Sequence, residues 1–288
     1  MKTLIGKNGY LFLQNDSAKE LAVHFENLCL VNDTFYKKYE TVKDKYLLTI
    51  FPDKSYLYSD FLPEKHSVKY RPAMEKYVNY LQDHVLDGYP VLKDIDDTFY
   101  KTDTHINNKG ALLIYHEFVN KINTLFGLSI SSKQYELTKL ETTSLCILGY
   151  GIGDLTWEAN LGPQQLETTK DTFYKIKDHE QLYIKSFIHD MKTLKYLNNT
   201  LEDKTIDNIG ANIGWNLIGD FILYKKNDAC KNKLKILIFY DSFLCSTLHL
   251  YVDLFYEVYS WKCTFHKELV ELINPDFVFE FRVERFLF

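Results

Sequence analysis

The sequence predicts an α/β fold built on a mostly parallel sheet with helices on both faces. Compact apolar runs closed by turn residues read as buried strands: Tyr46 to Phe51 before Pro52-Asp53, Lys235 to Phe239, and Phe277 to Phe281. Segments with apolar residues at helical spacing lie between these runs, and that alternation implies parallel strands connected by helices. No repeat, low-complexity tract or linker interrupts the 288 residues, so a single domain spanning 1–288 is expected, with 165–230 as a possible insertion or irregular subregion.

In chain order, Asn8-Gly9 marks a turn before a short strand at Tyr10–Leu13. Residues 17–45 have mixed helical patterning. Arg71 to Leu86 carries Met74, Tyr77, Val78, Leu81 and Val85 at helix spacing, with Pro72 suited to a first turn. Val91-Leu92 and Thr98–Tyr100 are short extended candidates. A second helix opens near Asn107 or Asn108, either of which can cap it. Its stripe is Ala111, Leu112, Tyr115, Val119, Ile122 and Phe126, and Gly127 ends it. Residues 142–149 read as a strand before a glycine-rich turn at 149–155. Further strands are expected at 181–188 and 216–225. Phe243 to Tyr259 reads as a helix, followed by a helix over about 266–273 and the last strand.

The totals narrow the function. The net charge is −5 and no basic stripe or tail is present, which argues against nucleic acid as a partner. Five scattered cysteines without C-x-x-C spacing suggest neither a zinc site nor a disulfide framework, and fit reduced thiols. No apolar run reaches about 18 residues, and the N-terminus lacks a signal-peptide pattern, so a cytoplasmic, non-membrane-spanning protein is expected. Aromatic residues make up 16% of the chain and are assigned mainly to the core. No metal site is expected, because the acidic residues near Asp94–Asp103 lack EF-hand spacing.

Two distant segments suggest chemistry. The strand at 235–239 runs into Tyr240-Asp241-Ser242 and then a helix. A serine there stands above the carboxyl end of the sheet, where α/β proteins bind ligands. The N–H groups opening the helix are unpaired and can receive a developing oxyanion, a donor worth about 3–4 kcal/mol of transition-state stabilisation. Ser and Asp are also ordinary N-cap residues. The other segment is Asp103-Thr104-His105. At i, i+2 in an extended stretch the carboxylate and imidazole share a face, so Asp103 can fix the tautomer of His105. The following helix N-terminus is expected to disfavour imidazolium in the resting state. Gly153, in the loop after a strand, is a candidate second oxyanion donor alongside the Ser242 N–H. The other histidines, His24 among them, read as surface or packing residues.

The order of motifs resembles the alginate O-acetyltransferase family (AlgJ and AlgX type), a branch of the SGNH-hydrolase-like proteins. The matching segments are Gly6-Lys7-Asn8-Gly9-Tyr10-Leu11-Phe12, Pro52-Asp53-Lys54 with Tyr58 and Leu62-Pro63, Asp103-Thr104-His105, Gly153-Asp154-Leu155, Asp241-Ser242-Phe243, Pro275-Asp276-Phe277-Val278 and Glu284-Arg285-Phe286-Leu287. The resemblance implies an SGNH-hydrolase-like fold and a triad of Ser242, His105 and Asp103. It departs at Tyr240, where the family has glycine, and at Ile106, where it has tryptophan; these imply a changed turn and a changed acceptor groove.

The function implied is transfer of an acetyl or similar small group to a hydroxyl of a bacterial surface polysaccharide or its precursor. No bound cofactor is expected, with acetyl-CoA or another acyl donor as co-substrate. A carbohydrate esterase of the same fold uses the same triad with water as acceptor. A non-catalytic carbohydrate-binding module on the same scaffold is the third reading.

Overall fold

The computed structural model describes residues 3–14, 18–26, 28–63, 71–143, 153–159, 170–177 and 222–287. Its strands are β1 (Thr3–Ile5), β2 (Leu11–Leu13), β3 (Tyr46–Phe51), β4 (Val85–Asp87), β5 (Leu137–Thr143), β6 (Lys170–Ile176), β7 (Ile222–Lys226), β8 (Lys235–Tyr240), β9 (Glu257–Trp261) and β10 (Phe277–Val283). The first helices are α1 (Glu20–Phe25), α2 (Lys54–Leu57), α3 (Pro72–Leu81), α4 (Gly88–Leu92) and α5 (Asn108–Phe126). A six-stranded sheet runs β4-β3-β10-β8-β9-β7. All neighbours are parallel except the edge pair β7–β9. Two antiparallel two-stranded sheets, β1–β2 and β5–β6, stand apart from it.

Parallel strands buried on both faces should alternate between two cores, and these do. Ile236, Ile238 and Tyr240 of β8 join Leu47 and Phe51 of β3 and Phe279, Phe281 and Val283 of β10 on one face. There α5 covers them with Ala111, Leu112, Tyr115, Phe118, Val119 and Ile122. Leu237 and Phe239 join Tyr46, Leu48, Ile50 and Val278 on the other face, under α3 and the helix Lys267–Ile273. The aromatic excess is core: Tyr39, Tyr46, Tyr77, Tyr115, Tyr251 and seven phenylalanines are the largest fully buried side chains.

The caps of α5 follow from sequence. Asn107 Oδ1 accepts the N–H groups of Lys109 and Gly110, and Gly127 closes the helix at φ 64.

Several expectations change. The segment expected as one helix over 243–259 is two short helices, Ser242–Cys245 and Leu248–Val252, followed by β9. Val258 and Trp261 lie in buried positions on that strand, so the helical spacing was coincidental with strand burial. The helix expected to Leu86 stops at Leu81, and Val85 opens β4; Val78 is exposed. Val91-Leu92 lies in α4. Of the strand expected at 142–149, residues 142–143 end β5, and 144–149, like 181–188, lie outside the described residues. Tyr240 is the last residue of β8, opposite Phe281, so the strand simply continues where the family glycine was expected to set the turn. Ile106 is buried, bridged to Phe99, and packs in the core instead of lining a groove.

Candidate active site

Asp103 and His105 meet as their spacing suggests. His105 Nδ1 lies 2.6 Å from Asp103 Oδ1, which also accepts the His105 N–H at 2.8 Å. Asp103 Oδ2 accepts the N–H groups of Gly153 (2.6 Å) and Asp154 (3.0 Å). Four donors thus converge on one buried carboxylate. Burial alone raises its pKa, but the His105 charge and these hydrogen bonds hold it well below the usual carboxylate range.

With Nδ1–H committed to Asp103, the lone pair of the neutral ring sits on Nε2. His105 Nε2 is buried and has no hydrogen-bond partner among the described residues. The ring's pKa is raised. Burial lowers it, but the Asp103 charge and hydrogen bond outweigh that, and Asp154 adds to them. The expectation that the helix N-terminus would hold the imidazole neutral is therefore corrected: two carboxylates dominate the field at the ring.

Asp154 stands in the Gly153-Asp154-Leu155 turn, where the sequence reading assigned this residue no role. Its carboxylate accepts the Thr104 N–H (2.8 Å) and Thr104 Oγ1 (2.6 Å), and Oδ2 lies 3.8 Å from His105 Nδ1. The turns 103–105 and 153–154 therefore clamp one another. Gly153 has φ 91, a conformation that favours glycine. Its N–H is spent on Asp103, which corrects its assignment as an oxyanion donor. Asp103, His105 and Asp154 could each offer an atom within 4.8 Å of the others. Hydrogen bonds already occupy the facing oxygens, so the trio reads as a proton-handling cluster and not as a cation cage.

Ser242 is half-buried and opens the short helix after β8. Asp241 caps it: Oδ1 accepts the Phe243 N–H (2.9 Å) and Oδ2 the Val283 N–H (2.6 Å), pinning the turn to β10. The Phe243 ring lies 4.9 Å from the His105 ring, centroid to centroid. The fold thus carries His105 to Phe243, the residue beside Ser242, across 138 positions of sequence. Ser242 makes no hydrogen bond to His105 Nε2 in this structure.

The Phe243 ring also meets Arg285, whose Cζ is 5.3 Å from the ring centroid. Arg285 pairs with Asp53 and with Glu20 (3.3 Å), and Asp53 binds His24 at 2.8 Å. His24 was expected as a surface or packing residue; it is a fully buried ion-pair partner from 29 positions away. Burial and the Asp53 charge push the Glu20 carboxyl up to about 7.

The chain matches the family model described as "SGNH hydrolase-like domain, acetyltransferase AlgX" over residues 3–184. That span holds Asp103, His105 and Gly153, while Ser242 lies beyond it. Comparison with curated proteins returned no match. Among solved structures, Bacillus cereus PatB1 is similar at TM-score 0.55 and 15% identity, covering 98% of this chain and 95% of that one. A DHHW family protein from Eubacterium siraeum DSM 15702 is similar at TM-score 0.53 and 14% identity, covering 99% and 94%. The O-acetyltransferase domain of Pseudomonas putida AlgJ is similar at TM-score 0.51 and 14% identity, covering 99% and 91%. At these identities the likeness is one of fold.

Proposed function

Because this chain belongs to the SGNH hydrolase-like, AlgX-type acetyltransferase family, we propose that it is a serine-dependent O-acetyltransferase whose acceptor is a carbohydrate hydroxyl. The observation that carries the reading is the Asp103–His105 pair, with Nε2 unpartnered and the ring resting on Phe243 beside Ser242.

The chemistry follows from this arrangement. His105 Nε2 takes the Ser242 proton as Oγ bonds to the donor carbonyl carbon. Asp103 stabilises the imidazolium and holds its tautomer. The imidazolium then protonates the leaving group as the carbonyl re-forms, leaving acetyl-Ser242. The acceptor hydroxyl next gives its proton to His105 and attacks the ester, which frees Ser242 in a ping-pong cycle. The Ser242 N–H opens a helix and lacks an i−4 acceptor, so it serves as an oxyanion donor. Contact between Ser242 and His105 closes on substrate binding, as catalytic hydrogen bonds often do. Acetyl-CoA or another activated acetyl ester supplies the group. No helix among the described residues is long and apolar enough to cross a membrane.

The test is acetyl transfer from a chromogenic acetyl ester to polysaccharide oligomers, with Ser242→Ala and His105→Gln alongside the wild type. Glycan acetylation lost in both variants supports the proposal. Acetate release without transfer would make the protein a carbohydrate esterase. Full activity in Ser242→Ala would remove the triad and leave a different site or a binding module.

A further inference from the structure

Outside the proposed triad, one buried cation does more than packing requires. Lys54 follows Pro52-Asp53 at the carboxyl end of β3 and is 2% exposed. Its ammonium donates to three main-chain carbonyls of one loop: Tyr100 (3.2 Å), Lys101 (3.2 Å) and Asp103 (2.6 Å). An ammonium has three N–H donors, and here all three are used. The Phe12 ring faces it at 5.5 Å.

These carbonyls belong to the loop that carries His105. The loop reverses between Phe99 and Ile106, which pair across it, and of its inward carbonyls that of Lys101 also accepts the Leu11 N–H of β2 at 2.8 Å. Two of the same peptides give their N–H groups to one carboxylate: Asp171 accepts from Lys101 N (3.0 Å) and Thr102 N (3.0 Å), and also from Thr102 Oγ1 (2.8 Å). Lys54 and Asp171 therefore hold opposite ends of the same peptide dipoles.

We propose that Lys54 is a positioning residue for acyl transfer: its ammonium gathers the carbonyls of residues 100, 101 and 103 and so sets the aim of the Asp103–His105 pair. The inference rests on the site proposed above. The charged groups facing Lys54 are Asp154, Asp103, Asp171 and Glu20. Burial outweighs their attraction and brings the ammonium down to about 8. Loss of its proton leaves two N–H groups for three carbonyls and removes the charge opposing the acids around His105. Activity then falls as pH rises through about 8, in a step belonging to Lys54 and not to the imidazole.

The test is the pH profile of kcat and kcat/KM for ester turnover in wild type, Lys54→Arg and Lys54→Gln, each checked for folding by circular dichroism. The wild type should lose activity above about pH 8. Lys54→Gln, which offers two N–H groups and never titrates, should lose about tenfold to a hundredfold in kcat and show no decline near pH 8. Lys54→Arg, charged throughout, should carry its plateau to higher pH. If Lys54→Arg does not fold, Lys54→Gln carries the decision alone. Folded variants with wild-type kcat and an unchanged alkaline limb would overturn the proposal. Ser242→Ala run in parallel separates the failures: inactive Ser242→Ala with unaltered Lys54 variants sinks this inference alone, whereas active Ser242→Ala sinks the site itself.

Discussion

His105 sits between two carboxylates, and this sets how it titrates. General-base catalysis needs the neutral ring, and Asp103 and Asp154 raise its pKa. Activity should therefore rise with pH along an acid limb centred above the ordinary histidine value of about 6.5. Asp103→Asn removes the larger charge, so the limb should move to lower pH. The same change should cost kcat about three to four orders of magnitude, by analogy with loss of the orienting acid in serine triads; steady-state kinetics across pH reads both. Asp103 also leaves a mark on stability. Its folded pKa is depressed, so its contribution is present above the unfolded value of about 3.9 and is lost as pH falls through the lower folded value. Chemical denaturation from neutral to acid pH should show a shallower loss of stability in Asp103→Asn. The Asp-x-His pair was legible in sequence because i, i+2 spacing is local. Asp154 was hidden, since its neighbours Thr104 and His105 lie about fifty positions earlier and only the fold joins them.

The helix α5 and its cap aim this loop. Asn107 caps the helix, and its own N–H goes to the Thr98 carbonyl at 3.0 Å. Gly110, in the first turn, comes so close to that carbonyl that a Cβ would stand 2.6 Å away, with Ile106 at 2.7 Å. Gly110→Ala must therefore push the helix from the 98–106 loop. It should destabilise the protein by about 1–3 kcal/mol as an overpacked site and lower kcat more than it changes KM, measured by denaturant midpoint and kinetics. The caps of α5 were legible because Asn and Gly carry their own backbone reasons. The region after Ser242 was misread for a physical reason. Leu248, Tyr251, Phe255 and Val258 satisfy a helical stripe, yet each is equally buried where two short helices turn into β9. Short apolar segments do not declare their period.

Across the molecule, alternation of strands and helices was readable, and strand order was not. The C-terminal strand β10 inserts between β3 and β8, a placement set by contacts of long sequence separation. That insertion carries Arg285 beneath Phe243 and into the buried cluster with Asp53, Glu20 and His24. Removing one partner of such a cluster strands the others as uncompensated charge. Arg285→Met should cost about 3–5 kcal/mol of stability, seen as a lower denaturation midpoint. The decisive observation is chemical. Protein quenched during turnover of an acetyl ester should carry one acetyl group, and peptide mass spectrometry should locate it on Ser242, with the adduct absent in Ser242→Ala. Turnover that proceeds with no acetylated enzyme, or with the acetyl group on another residue, would contradict the serine-dependent mechanism.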